Sequence, residues 1–267
     1  MRTALIILIV LLLLALGAGL FYFISYQPKQ YARAVLDFYE ESNDDYQLLF
    51  QAGLKEAYDY EGGLKILEQK KQALAKLKTE ISDLNPPLLG KSKRLQPELE
   101  GFVSDLSLIL GDAENSMTFL KKATEFQNLF QPGENAFPDP NRATTGDLAR
   151  YMDRKIPEMR DKGAELFEGP APKLTDSSEF ERLRSSWQET EPALTTLRSM
   201  AHRLDPTTSL SSFPVDLLTP QEQTATNKME NFQRLLDETV RTNSANDILL
   251  YSFLTTPGML PPQIAER

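Results

Sequence analysis

Cysteine is missing from this 267-residue chain, and histidine occurs once, as His202. Without cysteine there is no disulfide, no thiolate zinc ligand, no cysteine nucleophile and no thioether-linked lipid. The absence is neutral about redox compartment, since a chain without thiols needs neither oxidant nor reductant to fold. One histidine is too few for a carboxylate-bridged di-metal bundle, which takes a Glu-x-x-His from each of two helices; here Ser199 stands where that motif needs glutamate. A Ser-His-Asp site would have to use His202, and the Gly-x-Ser-x-Gly turn that presents such a serine is not there. His202 falls at the end of a helical stretch, where a protonated imidazole complements the negative end of the dipole.

Two further motifs are incomplete. Gly90-Lys91-Ser92 matches the end of a phosphate-binding loop, but Asn85 occupies the position of the leading glycine and prolines follow it. The segment Glu134 to Asp147 offers Glu134, Asp139, Asn141 and Asp147, yet lacks the alternating spacing, central glycine and closing glutamate of a calcium loop. The 38 acidic residues allow many carboxylate pairs, and no spacing selects one as a glycosidase pair. No catalytic set, cofactor site or metal site is expected, and the chain is not expected to be an enzyme. A net charge of −9 argues against wrapping nucleic acid.

What the chain does have is one long apolar run. Ala4 to Ser25 contains no charged side chain. At about 1.5 Å per helical residue it matches the roughly 30 Å of a bilayer's hydrocarbon core. A signal peptide has a shorter apolar stretch and then a small-residue cleavage site. Ala15-Leu16-Gly17 would serve as such a site, but the run continues through Ala18, Leu20, Phe21, Tyr22, Phe23 and Ile24, and Tyr22 and Tyr26 fall where interfacial aromatics belong. The expectation is an uncleaved signal anchor over 4–26, after a flank of 1–3. Arg2 lies on one side, and Lys29 and Arg33 on the other, so basic residues do not set the orientation. The short first flank favours a cytoplasmic N-terminus and an extracytoplasmic remainder, which makes a single-pass membrane protein.

After this run the apolar period is helical. Leu95, Leu99, Phe102, Leu106, Ile109, Ala113, Met117 and Leu120 step by threes and fours, the narrow seam of a bundle or coiled coil. No stretch alternates with period two for long enough to make a strand. The fold expected is all-α: a transmembrane helix followed by an elongated helical-bundle ectodomain of six helices. The first is expected over Lys29–Tyr60, closed by a turn at Gly62-Gly63, and the second over Leu64–Leu84, stopped by Asn85-Pro86-Pro87. The third covers Ser92–Phe130, and the fourth covers Gly146–Phe167, with Pro157 bending or splitting it. The fifth starts at Asp176, with Glu179 completing a capping box, carries the seam Phe180, Leu183, Trp187, Leu194, Leu197 and Leu204, and has a possible kink at Pro192. The sixth starts at Thr219, where Pro220 and Glu222 complete a first-turn proline and box, and runs to about Leu250.

An internal echo groups these helices. Ala73-Leu74, Leu77-Lys78 and Leu84-Asn85-Pro86 match Ala193-Leu194, Leu197-Arg198 and Leu204-Asp205-Pro206. Each is followed by a Leu-x-Pro helix start, Leu95-Gln96-Pro97 and Leu218-Thr219-Pro220. The reading is two tandem three-helix units, 27–134 and 146–252, joined by a linker at 135–145 and followed by a loose tail at 253–267. This layout is similar to spectrin-like repeats in general plan, with no motif that carries a function across.

Charge is unevenly spread. Asp37 to Glu61 holds eight acids against Lys55, a balance of −7, and Lys65 to Arg94 holds eight bases against three acids, a balance of +5. Neighbouring helices with complementary solvated faces explain this. The sharper alternative is an anionic surface, lipid headgroups or a cell-wall polymer, met by Lys65, Lys70, Lys71, Lys76, Lys78, Lys91, Lys93 and Arg94. The function expected is a non-enzymatic protein-interaction or scaffold module of the cell envelope, with an unidentified protein partner. The alternative is a ligand-binding, sensor-like bundle that works with a separate membrane partner.

Overall fold

Among the described residues the helical periodicity of the sequence becomes helix. The computed structural model describes residues 13–34, 37, 56–83, 95–130, 141–174, 177–212 and 215–254, and among the described residues there is no strand. The all-α class is correct. Helix α1 covers 13–34 and includes a π-turn at Tyr22–Tyr26. It is followed by α2 (Tyr60–Asp83), α3 (Leu95–Gln127), α4 (Thr145–Phe167), α5 (Ser177–Arg203), α6 (Pro220–Thr242) and α7 (Ala245–Leu254). Short 3₁₀ turns at Leu210–Ser212 and Val215–Leu217 lie between α5 and α6.

The expected transmembrane helix is not found: among the described residues no helix is long and apolar enough to cross a membrane. Residues 4–12 of the apolar run lie outside the described residues. Within the rest, the regular α-helical hydrogen bonding of 13–21 gives way to the π-turn, which the Gln27 N–H closes on the Tyr22 carbonyl. The Tyr22 and Tyr26 rings stack there, with centroids 5.6 Å apart.

The chain divides into two compact units, one drawn from Met1–Gly53, Lys65–Gly111 and Ser252–Arg267, the other from Leu54–Leu64 and Asp112–Tyr251. These are drawn differently from the tandem units read from the internal echo. The physical reason is the core of the second unit. Phe126 from α3 meets Trp187 from α5 at 5.2 Å and Phe232 from α6 at 5.4 Å, and Trp187 and Phe232 meet at 5.1 Å. The last turns of α3 thus share a core with α5 and α6. Around that centre α5 packs against both α4 and α6, and its predicted seam, Phe180, Leu183, Trp187, Leu194, Leu197 and Leu204, is buried in full. In the first unit Tyr31, Leu67, Leu74, Val103, Leu106 and Leu110 are buried.

Helix starts follow their caps. Thr144 and Asp147 form a reciprocal capping box for α4, and Thr219 and Glu222 form one for α6 with Pro220 in the first turn. Helix ends and breaks differ more from expectation. Gly62 and Gly63 do not make the turn; Glu56–Asp59 does, and both glycines lie in the first turn of α2. Asp59 Oδ1 accepts the Gly62 N–H at 2.8 Å. Gly63 packs closely on Met117: a Cβ there would lie 2.7 Å from Met117 Cε, so the methionine's flexible end would have to shift to admit it. Pro157 and Pro192 do not split their helices; both are exposed, so solvent can reach the side of the helix where an amide donor is missing.

The expected sixth helix is two. Asn243 leaves helical geometry at φ −120°, ψ 84°, and Ser244 caps α7 through Asp247. The break is held by Asn243 itself, fully buried, whose amide donates to Glu179 Oε2 at 2.9 Å and to the Thr239 carbonyl at 2.9 Å. Glu179, expected to close a capping box on Asp176, therefore reaches across to Asn243 and Thr242; Asp176 lies outside the described residues. Tyr60 Oη donates to the Asn243 carbonyl at 2.8 Å, and burial raises its pKa first, with Tyr58 and Asp247 adding to the rise.

Candidate functional site

The basic residues singled out in the sequence are sorted by helix geometry. Lys65, Lys70, Lys71, Lys76 and Lys78 lie on α2, while Lys91, Lys93 and Arg94 lie outside the described residues. At about 100° per residue, Lys71 and Lys78 share one face within about 20° of each other, and Lys65 and Lys76 share another about 140° away. The lysines of α2 therefore do not form one patch. The structure brings two of them, Lys71 and Lys78, to a common feature: a cleft of about 670 Å³ in the first unit.

This cleft lies between α2 and α3. Lys71 and Lys78 stand on the α2 wall, Glu100 and Ser107 on the α3 wall, and the buried Leu74 and Val103 form the floor. The pairs on both walls are one heptad apart, and the floor residues lie three residues along from Lys71 and from Glu100. Matching positions of two helices thus face one opening. Leu108, beside Ser107 in the cleft lining, is 66% exposed. Glu100 also lies near Tyr31: burial pushes the Tyr31 hydroxyl's pKa up, and the Glu100 charge adds to the rise. That hydroxyl and Gln27 Oε1 are buried and find no hydrogen-bond partner among the described residues.

A second polar cluster surrounds the single histidine. Asp153 Oδ1 takes His202 Nε2 at 2.9 Å and Arg198 Nε at 2.7 Å. These two bonds, the histidine's first, hold the Asp153 carboxyl below its ordinary range. The cluster is open to water and ties α4 to the last turn of α5, where the sequence placed His202. Among the described residues no group of three or more histidine, aspartate or glutamate side chains could hold a metal ion. Asp147, one of the oxygen donors weighed for calcium, is engaged by Thr144 in the α4 cap.

Arg203 and Glu222 make an ion pair with a buried carboxylate. Arg203 donates through Nε and Nη2 to both carboxylate oxygens, at 3.1 and 2.7 Å, and the Glu222 side chain is only 8% exposed. Glu222 also accepts the Thr219 N–H at 2.7 Å. The Arg203 bonds foremost, with the Thr219 bonds behind them, lower its pKa to about 2 from an ordinary 4.5. A depressed carboxyl stabilises the fold above its unfolded-state value and loses that contribution as pH falls through the folded one. The pair should therefore stabilise fully above about pH 4.5 and fade towards about pH 2. Glu222→Gln keeps the shape but not the charge and should cost about 1.5–3 kcal/mol at neutral pH. Urea unfolding followed by the single tryptophan, Trp187, would check this; a variant whose stability equals the parent's at pH 7 and still falls equally below pH 4.5 would refute the assignment.

Sequence reasoning placed Lys71 and Lys78 in a candidate surface but missed Glu100, Ser107 and Leu108, which complete the cleft. The available signal was the equal seven-residue step on both helices. Fold and cleft together define an all-α helical-bundle protein with a heptad-spaced groove between two of its helices. No family model, no curated protein and no solved structure matches the chain.

Proposed function

We propose that this chain is a non-enzymatic protein-interaction module of the cell envelope, tethered to a membrane by its N-terminal apolar segment and carrying its helices on the extracytoplasmic side. One observation carries the reading: Leu13, Leu14, Leu16, Leu20, Phe21 and Ile24 are each more than half exposed. Covering one such side chain is worth about 1.5–3 kcal/mol, so several in succession call for an apolar cover. Lipid fits, because the run extends without charge back to Ala4. A scarcity of histidine and the lack of cysteine support a role without catalysis. A second reading, a ligand-binding bundle, draws on the cleft, whose roughly 670 Å³ falls within the usual range for small-molecule sites.

The tether is tested on membranes from cells expressing the full chain, washed in alkaline carbonate. The protein should stay with the pellet at its full mass. Release into the wash, or a mature form beginning near Ala18, would sink the tether. Protease added to sealed cells should digest the helical part, and protection would reverse the orientation.

A further inference from the structure

We propose that the second half of α1 selects anionic phospholipids, whose headgroups are held by Lys29 and Arg33. This deepens the tether reading by naming the lipid class, and it rests on that reading for the place of the apolar segment in a bilayer.

Two cations stand open where the apolar run ends. Lys29 and Arg33 are exposed, and neither has an ion-pair or hydrogen-bond partner among the described residues. The lysines of α2 differ in this respect: Lys65, Lys70, Lys71 and Lys76 each interact within the chain. At about 100° per residue, Lys29 and Arg33 both fall within about 60° of Tyr26 around the helix axis. Tyr22, Tyr26, Lys29, Gln30 and Arg33 are all exposed, whereas Tyr31, about 140° round from Tyr26, is buried. One face of α1 thus carries the stacked rings of Tyr22 and Tyr26 and then two unpaired cations. Gln30 Nε2 donates to Tyr26 Oη at 3.1 Å and ties the second ring to that face.

The order of these groups matches the layers of a leaflet. Tyrosine rings settle at the boundary between hydrocarbon and headgroups. Lys29 lies about 4.5 Å and Arg33 about 10.5 Å beyond Tyr26 along the axis, and a headgroup layer is about 5–8 Å deep. In a helix the Cα–Cβ bond tilts towards the N-terminus, so both side chains lean back towards the membrane. Their long stems then carry the charges into the headgroup layer. A zwitterionic lipid offers the phosphate together with its own amine. An anionic lipid leaves a net negative charge for the protein to meet.

The chain next reverses sign. Asp37, Glu40, Glu41, Asp44 and Asp45 follow with no base among them. An anionic surface repels these acids, so its attraction is confined to the two bases, within a Debye length of about 8 Å. The bases would hold α1 at one depth while the acids keep the following segment off the surface. An acidic peptide would satisfy the cations but leave the neighbouring Phe21 and Ile24, each more than half exposed, without cover. A lipid supplies both the charge and the cover.

The test holds the full chain in a mild non-ionic detergent with equal amounts of phosphatidylcholine and phosphatidylglycerol, and native mass spectrometry counts the lipids that stay bound. Each basic residue near a headgroup surface is worth about fivefold. The first bound lipid should therefore be phosphatidylglycerol by at least about fivefold. Lys29→Gln with Arg33→Gln should bring the ratio close to unity, and Lys65→Gln with Lys76→Gln should leave it unchanged. Unchanged circular dichroism and Trp187 emission would show that both variants are folded. Equal uptake of the two lipids by the parent chain would overturn the proposal. So would a preference that survives loss of Lys29 and Arg33, or one that disappears with Lys65 and Lys76. Retention in alkaline carbonate without lipid preference would remove this proposal and keep the tether, whereas release into the wash would remove the tether itself.

Discussion

Gly163→Ala is expected to destabilise the second unit by at least ~3 kcal/mol, well outside the usual range for a glycine-to-alanine change in a helix. An added Cβ would lie 2.0 Å from Cζ2 and 2.3 Å from Cε2 of Trp187. A flexible neighbour could swing aside, but this one is a rigid ring, 6% exposed, wedged between Phe126 and Phe232. Alanine's better helix propensity returns only about 1 kcal/mol. To admit the methyl group, α4 would have to draw back from α5 along its length. The melting temperature should fall by roughly 6–12 °C for a unit of this size. Urea unfolding read through Trp187 emission measures the effect at the site, because no other tryptophan contributes. Adding Trp187→Leu should recover part of the loss, since the two positions are in contact and their effects do not add; circular dichroism reads that double variant. Equal midpoints for Gly163→Ala and the parent would mean that α4 and α5 do not pack this closely.

Phe126→Ala should cost about 3–5 kcal/mol, the upper range for emptying a core aromatic site. Phe126 has no exposed surface and touches three rings, Phe130, Trp187 and Phe232. Two of them come from other helices, so its loss opens a void where α3, α5 and α6 converge. Phe126→Leu should cost far less, because it restores most of the volume while losing only ring geometry. A small loss for Phe126→Ala would indicate that the last turns of α3 do not belong to this core.

The helices were legible because their signals are local. Thr219, Pro220 and Glu222 announce a helix start within four residues, and the structure closes that cap as written. Phe180, Leu183, Trp187 and Leu194 announce a buried face by their spacing, and each is buried. The glycine pair Gly62-Gly63 misled for an instructive reason. Glycine weakens a helix and equally permits close packing, and only the presence of Met117 opposite Gly63 decides between the two. Asn243 likewise reads as an ordinary polar residue near a helix end. Its role as a buried break depends on Glu179, far away in sequence. At the candidate site Lys71 and Lys78 were visible as bases, but their partition from Lys65 and Lys76 follows from the turn of α2, and their pairing with Glu100 and Ser107 follows from how α2 and α3 meet.

By itself the sequence determined an all-α chain, the starts of its capped helices and the faces they bury. All of these depend on which residues stand a few positions apart on one backbone. Tertiary structure alone decided that Phe126, Trp187 and Phe232 form one core, that Gly163 must stay bare against an indole, and that two lysines of α2 share a groove with a glutamate of α3. Those pairings join residues far apart along the chain, and a local pattern carries no information about which of several suitable apolar or charged faces will meet.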